Sequence, residues 1–174
     1  SPVSAAGPAK SISRETTFYR DTLDMAFLAG TLRYLCERVG AHLRKEEKIA
    51  RRVFLKLRYG DFETISRNHT FARPTDGDED TFRAGLSMMG KAMEERRAPV
   101  RLIGIGVAEL MPSSSQLSFL DTRDGKGQNL VRAMDSIRGK YGFTSIQRGL
   151  TFSLGSHFRV EDGSYLLKTS ALSR

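Results

Sequence analysis

Two stretches of alternating side chains, joined by a short turn, constrain the fold of this chain most strongly. In the first stretch, 52–59, apolar and other side chains alternate strictly: Val53, Leu55, Leu57 and Tyr59 lie between Arg52, Phe54, Lys56 and Arg58. Gly60-Asp61 supplies a turn, and TISRNHTF at 64–71 has the composition of a returning strand. A period of two residues is typical of strands with one buried face. The sequence therefore predicts a β-hairpin with a buried face and an open face.

Four further segments flank the hairpin. KSISRETTF, at 10–18, is predicted to be a strand with Ile12, Thr16 and Phe18 towards the core. A helix capped by Asp21 or Thr22 follows, because apolar residues recur at helical spacing: Leu28, Leu32, Leu35, Val39 and Leu43. A second helix is predicted over 80–97, with one apolar face: Phe82, Leu86, Met89 and Met93. A fourth strand covers 100–110.

The resulting order of elements is β-α-β-β-α-β. This order predicts an α+β, ferredoxin-like fold, in which two helices cover one face of a four-stranded antiparallel sheet. The other face stays open, and it carries small polar groups, cations and glycines: Ser11, Ser13, Thr17, Lys56, Arg58, Thr64, Ser66, Asn68, Gly104 and Gly106. Hydroxyls and cations of this kind suit phosphate oxygens, although an ordinary solvated sheet face has a similar composition.

Composition favours a partner that carries phosphate. The 174 residues have a net charge of +8 and a pI of about 9.9, which favours nucleic acid first and an anionic membrane second. The single cysteine, Cys36, excludes an internal disulfide. The longest apolar run is interrupted by Glu109 and is too short for a membrane helix, and no signal peptide is visible. The sequence therefore predicts a soluble, cytoplasmic, monomeric chain without membrane association.

Residues that suggest catalysis or cofactor binding are scarce. The acidic run at 76–80, DGDED, lacks the spacing of a calcium loop and suits a helix N-terminus. His42, His69 and His157 are scattered, without other ligands at metal-binding spacing. Gly104-Ile105-Gly106 lies inside a strand and does not form a dinucleotide fingerprint. No catalytic residue, metal site or cofactor is predicted for this chain.

The ends of the chain differ in composition from the central part. Residues 1–9 are expected to be a linker, rich in Ser, Ala, Gly and Pro, that follows a preceding domain. Residues 10–111 form the predicted domain, and 112–174 form a tail. Within the tail, 129–142 (NLVRAMDSIRGKYG) is predicted to be a short helix with Leu130, Met134 and Ile137 on one face. Residues 143–174 alternate only weakly.

Three separated motifs resemble a known family. KSISRETTF, LKLRYGDFETISRNHTFARPT and VRLIGIGVAEL occur in this order, and together they resemble the little-finger domain of Y-family translesion DNA polymerases, most closely the bacterial DNA polymerase IV (DinB) branch. The resemblance covers about 9–110. Residues 133–142 are also similar to a tail helix of that branch.

The resemblance implies a function for the open face. Little-finger domains grip the phosphates of primer–template duplex, and a linker joins them to a catalytic core that uses Mg²⁺ for nucleotidyl transfer. The motifs of that core do not occur here, so the resemblance implies a C-terminal portion that is inactive alone. The DNA contacts implied by position are Lys10, Ser11, Ser13, Lys56, Arg58, Thr64, Ser66, Arg67 and Arg101. Because Ser66 and Arg67 are neighbours, a bulge would be needed to bring both to one face.

A short peptide in the tail resembles a second family feature. Gln116, Leu117, Ser118, Phe119 and Leu120 are similar to the Q-L-[SD]-L-F peptide with which bacterial polymerases bind the sliding clamp, with the last two residues exchanged. The resemblance implies the clamp as a partner. The alternative is that Phe119 and Leu120 pack on the chain's own surface.

Two other classes remain open for the domain. One is a nucleic-acid-binding module that is not part of a polymerase, and the other is a ferredoxin-like regulatory or protein-interaction domain. A preceding domain with metal-binding carboxylates would distinguish the polymerase hypothesis from both.

Overall fold

The computed structural model describes residues 10–115 and 125–169. The first range contains six regular elements and a short 3₁₀ turn: β1 (Ser11–Thr22), α1 (Met25–Lys45), β2 (Lys48–Tyr59), β3 (Thr64–Thr75), α2 (Asp78–Glu95), β4 (Val100–Pro112) and the turn Ser113–Ser115. The second range contains shorter elements: α3 (Gly125–Tyr141), a 3₁₀ turn (Phe143–Ser145), α4 (Gly149–Phe152), a 3₁₀ turn (Ser153–Ser156), β5 (Val160–Glu161) and β6 (Ser164–Tyr165). The predicted β-α-β-β-α-β order is confirmed.

The four long strands form one antiparallel sheet in the order β1-β4-β2-β3. Each β-α-β unit is split by a strand of the other unit, as in the predicted supersecondary plan. The strands β2 and β4 are therefore central, and β1 and β3 form the edges. Because side chains alternate along each strand, this register determines which residues lie on the open face.

The helices α1 and α2 cover one face of the sheet. The predicted apolar residues of α1 are all buried, namely Leu28, Leu32, Leu35, Val39 and Leu43, and so are Ile12 and Phe18 of β1. Gly85 of α2 lies close to Leu32 and Ile105; a Cβ atom there would be 3.1 Å from Ile105 Cδ1. The apolar core therefore lies between the sheet and the two helices.

Some predicted boundaries and side-chain positions were wrong. β1 continues to Thr22, and α1 is capped by Asp24, whose Oδ1 accepts hydrogen bonds from the Ala26 and Phe27 amides. β3 continues through Pro74 to Thr75, which an edge strand tolerates because an edge N–H need not join the ladder. Leu86 of α2 is 38% exposed instead of buried.

Residues 125–169 pack against α1 and reach the edge strand β1. Tyr165 N donates a hydrogen bond to Tyr34 Oη of α1 at 3.0 Å, and its ring packs against Tyr34. Leu154 and Phe158 join the core cluster. The part of 143–169 for which the sequence predicted no structure therefore forms short elements that pack on α1 and extend the core.

Buried charges, more than apolar contacts, attach α3 to α1. Arg138 Nη2 donates to Glu37 Oε2 at 2.9 Å, and both side chains are almost completely buried. Arg44 of α1 pairs with Asp135 of α3 and with Asp78 at the start of α2. Of the three residues predicted to form the apolar face of α3, Met134 is buried, whereas Leu130 and Ile137 are exposed. The apolar spacing identified the helix but not its buried face.

Asp78 connects α2 to this charge network. Burial raises its pKa to about 6, although the paired Arg44 guanidinium favours the ionised form. Glu37 and Asp135 also raise the pKa, because they add negative charge nearby. The network therefore joins α1, α2 and α3 through two carboxylates, Asp78 and Asp135, at the guanidinium of Arg44.

A membrane span is not found among the helices of the described ranges, since none of them is both long enough and apolar enough.

Candidate nucleic-acid interface

The open face of the sheet is organised in four cross-strand rows. Along the order β1-β4-β2-β3 the rows are Ser11–Ala108–Arg52–Thr70, Ser13–Gly106–Phe54–Asn68, Glu15–Gly104–Lys56–Ser66 and Thr17–Leu102–Arg58–Thr64. Each outer position carries a hydroxyl, an amide or, once, a carboxylate. The strand β2 carries three cations and one ring. We call these sixteen residues the open face.

Two glycines of β4 allow neighbouring side chains of the open face to lie directly over the β4 backbone. The ring of Phe54 lies over Gly106: a Cβ atom there would be 2.7 Å from Phe54 Cε1 and from Ser13 Cβ. Gly104 leaves room for its neighbours Glu15 and Lys56 to meet across β4, with Lys56 Nζ 3.0 Å from Glu15 Oε2. Glycine in a strand permits such close approach.

The cations of β2 differ in how they are held. Lys56 is paired with Glu15, and Arg58 Nε donates to Thr64 Oγ1 at 2.9 Å. Arg52 approaches Glu109 at 3.7 Å, and its Nε has no hydrogen-bond partner among the described residues. Although the Nε of Arg52 is buried, the terminal nitrogens of Arg52 and Arg58 donate no hydrogen bond to another described residue, and both side chains therefore suit phosphate oxygens.

Six of the nine predicted contact residues share the open face: Ser11, Ser13, Lys56, Arg58, Thr64 and Ser66. Lys10 is exposed immediately before β1. The predicted DNA contacts of these residues are not tested by the geometry and stay predictions.

Arg67 and Arg101 lie elsewhere. The register of β2 with β3 is continuous from Thr70 to Thr64, so the bulge considered at Ser66 and Arg67 is absent. Arg67 therefore points to the helix side, where it pairs with Glu95 at 2.9 Å. Arg67 and Ser66 thus lie on opposite faces, as strict alternation requires, and the predicted DNA contact of Arg67 stays a prediction.

Arg101 lies at an irregularity of β4, where the register shifts between Arg58 and Tyr59 of β2. Its Nε is 3.3 Å from Asp21 Oδ1, and its guanidinium lies 4.3 Å from the centre of the Phe62 ring. It is therefore next to the row of Arg58 and not within it.

Several residues of this surface were not among the predicted contacts. Arg52 lies on the open face, and the alternation of β2 already indicated this position. Tyr19 lies two residues after Thr17 on β1 and is 82% exposed. Lys168 lies beside Tyr19, and no signal in the sequence connects the end of the tail with β1.

Two other predictions concern different parts of the chain. The peptide of Gln116, Leu117, Ser118, Phe119 and Leu120 lies outside the described residues. The acidic run forms the first turn of α2, as predicted. Within the described ranges no group of three or more His, Cys, Asp or Glu side chains is arranged to hold a metal ion.

Comparison with known proteins identifies the family. Residues 9–119 match the model of the impB/mucB/samB family C-terminal domain. The chain is 40% identical over 157 residues to DNA polymerase IV of Dehalococcoides mccartyi (strain CBDB1), a match covering 90% of this chain and 40% of that relative. It is 36% identical over 154 residues to DNA polymerase IV of Brucella melitensis biotype 1 (strain ATCC 23456 / CCUG 17765 / NCTC 10094 / 16M), covering 87% of this chain and 34% of the relative.

A solved structure shares the fold. A Y-family DNA polymerase chimera, Dbh-Dpo4(243-245)-Dbh, aligns with a TM-score of 0.56 at 17% identity, over 64% of this chain and 31% of the other. The chain thus spans well under half the length of its curated relatives. The family match, the relatives and the shared fold confirm the resemblance seen in the sequence: this chain belongs to the impB/mucB/samB family and carries its C-terminal, little-finger domain.

Proposed function

We propose that this chain is the duplex-DNA-binding domain of a translesion DNA polymerase of the DNA polymerase IV type. The observation that carries the proposal is the open face, where three cations of β2 are flanked by rows of hydroxyl and amide side chains in one continuous register. The names of the relatives support it. The two alternatives, a separate nucleic-acid module and a regulatory domain, have no comparable support.

The open face suits contacts to the DNA backbone without reading of sequence. Four rows that are two residues apart extend over roughly 20 Å along the strands, at about 3.3 Å per residue. Hydroxyls, amides and cations bind phosphate oxygens and fix the position of a duplex. A broad sheet does not enter the major groove as a helix does, so base edges are not read.

In the whole polymerase, nucleotidyl transfer belongs to a catalytic core that uses Mg²⁺, as the family resemblance implies. Phosphoryl transfer needs carboxylates that hold metal ions about 4 Å apart. We expect the 174-residue chain alone to incorporate no nucleotide, and the domain to increase the affinity of the polymerase for primer–template. Primer extension by the pure chain would contradict this. A cytoplasmic location remains the prediction for such a protein.

The test of DNA binding is fluorescence anisotropy with labelled duplexes of several sequences at increasing salt. About four phosphate contacts predict a slope of log K against log salt of roughly −3.6. Lys56→Ala and Arg58→Ala should each flatten the slope by about 0.9 and weaken all duplexes equally. Lys91→Ala removes the same charge from an exposed position on α2 and should leave the slope unchanged.

Glu15→Gln tests whether DNA binds to the open face or to the helix side of the domain. Because Glu15 neutralises Lys56 and repels phosphate, its replacement should tighten duplex binding by about 1.5-fold to fivefold, the range of a partly exposed ion pair. Glu94→Gln on the helix side is the matched control. If both variants tighten binding equally, or if the wild-type chain does not bind duplex, the open face is not the DNA site.

Clamp binding is the second part of the proposed function and rests on the sequence of 116–120. A short peptide with three apolar anchors pays an ordering cost on binding, so a few side chains must carry the affinity. We expect micromolar binding to a bacterial sliding clamp, about −8 kcal/mol.

The double variant Phe119→Ala, Leu120→Ala should abolish clamp binding in a titration and leave duplex binding intact. The alternative, in which these two residues pack on the chain itself, predicts a loss of thermal stability instead. If the wild-type chain has no affinity for the clamp at ~100 μM, equivalent to about −5.5 kcal/mol, clamp binding is wrong.

A further inference from the structure

Near the end of the described part of the tail, Lys168 contacts the outer edge of β1. The Thr17 amide donates a hydrogen bond to the carbonyl of Lys168 at 2.7 Å, and Thr16 Oγ1 donates to the same carbonyl at 3.2 Å. Among the strands of the described ranges, none pairs with the outer side of β1. The main chain of Lys168 is therefore held against the edge of the sheet that bears the open face.

The side chain of Lys168 lies on the open side of that edge. Its ammonium is 5.5 Å from the centre of the Tyr19 ring. Phe18 and Leu167, the neighbours of these two residues, both pack into the core, whereas Tyr19 and Lys168 are exposed, so both side chains lie away from the helix-covered face. Lys168 makes no ion pair with any residue of 10–115 or 125–169, and a ring contact leaves the three N–H donors free for an anion.

We propose that the C-terminal tail is part of the DNA-binding surface, and that Lys168 extends the open face with a phosphate contact next to the row of Thr17, Leu102, Arg58 and Thr64. This inference rests on the proposed DNA-binding function. It assigns DNA contact to a residue far outside the matched domain of 9–119, and it gives the docked tail a role in addition to packing.

The position of Lys168 favours such a contact. Two hydrogen bonds fix its backbone before DNA arrives, and the Tyr19 ring restricts the ammonium. A contact that is ordered in advance costs less entropy on binding than a free lysine. Because Arg58 and Lys168 lie at the same end of the face, one DNA strand that passes this end is within reach of both.

The experiment compares two lysines of the tail. Lys168→Ala should flatten the salt slope of duplex binding by about 0.9 and weaken binding about fivefold near 0.1 M salt. Lys140→Ala removes the same charge from an exposed position of α3, which is not part of the open face, and should change neither quantity. Lys168→Arg keeps the charge and should retain the wild-type slope.

The outcomes separate this inference from the function on which it rests. If Lys56→Ala and Arg58→Ala flatten the slope but Lys168→Ala behaves like Lys140→Ala, the tail is not part of the surface and the proposed function stands. If the wild-type chain binds no duplex, both are wrong. Equal thermal midpoints of the Lys168 and Lys140 variants show that the comparison is not affected by unfolding.

Discussion

Two glycines of β4 have different surroundings on the open face. A Cβ atom at Gly106 would clash with Phe54 Cζ and would be only 2.7 Å from Phe54 Cε1 and from Ser13 Cβ, whereas at Gly104 the nearest atom, Glu15 Cβ, would be 3.1 Å away. A methyl group at residue 106 would therefore force neighbouring atoms out of their positions. At residue 104 a displacement of a few tenths of an ångström would be enough. The open face therefore depends more strictly on Gly106 than on Gly104.

Gly106→Ala should lower the free energy of unfolding by about 1–3 kcal/mol, the usual cost of overpacking. Gly104→Ala, the matched control, should cost clearly less. Urea denaturation measures both. In a Phe54→Ala background the Gly106 substitution should become milder, because the ring has gone, and this coupling appears as a non-additive double-mutant cycle. Full additivity would mean that Phe54 does not restrict residue 106.

At the scale of elements, α1 and α3 are buried by different physical means. The periodicity of leucines in α1 predicted its buried face correctly, because apolar side chains dominate that contact. In α3 the buried positions include Arg138, whose charge is balanced by Glu37 of α1. A hydrophobicity scale assigns charged residues such as Arg138 to the surface and therefore does not identify this face. The ion-pair partner that allows Arg138 to be buried lies about a hundred residues earlier in the sequence, so no local pattern reveals it.

Arg138→Ala should destabilise the chain by about 3–5 kcal/mol, because it removes one partner of a buried ion pair and leaves Glu37 with less compensation. Arg132→Ala, at an exposed position of the same helix, should change stability by less than about 0.5 kcal/mol. Thermal and urea unfolding provide the comparison. Similar losses in the two variants would contradict the assignment of Arg138 as the residue that docks α3.

At the scale of the whole molecule, the layers are held together differently. The contact between the sheet and the two helices is apolar, whereas the contact of 125–169 with α1 includes the charge network around Arg44 and Glu37. Asp78 belongs to this network, and its raised pKa of about 6 makes the stability of the molecule depend on pH.

The sign of this dependence follows from the direction of the shift. The folded state holds a proton on Asp78 more tightly than the unfolded state, whose carboxyl has the ordinary pKa of 3.8. The stabilising contribution is therefore complete below about pH 4 and is lost as the pH rises through about 6. Two pKa units correspond to about 3 kcal/mol.

Urea unfolding of the wild type and of Asp78→Asn between these pH values measures the effect. The stability of the wild type relative to the variant should fall with rising pH, since the amide cannot titrate. A relative stability that rises with pH would show that the Arg44 guanidinium outweighs burial and that the carboxyl is ionised throughout.

The sequence predicted the domain well and the surface in part. Strict alternation along β1 and β2 placed Ser13, Lys56 and Arg58 correctly, because a period of two leaves no choice of face once the core is known. The pairing of Lys56 with Glu15 depends on the strand order, and the alternation of side chains along a strand does not predict that order. The approach of Lys168 to β1 depends on how the tail returns across the fold, and no local pattern encodes that path.

The position of β4 in the middle of the sheet also affects how the molecule is made. The strands β1 and β2 both pair with β4 and not with each other. Because Ser11 pairs with Ala108, β1 has no partner strand in the sheet until β4 has been synthesised. During synthesis on the ribosome, β1 and the hairpin of β2 and β3 emerge first and stay apart. Closing contacts so distant in sequence is slow. Until β4 leaves the exit tunnel, the nascent chain therefore presents open strand edges to chaperones and to its neighbours.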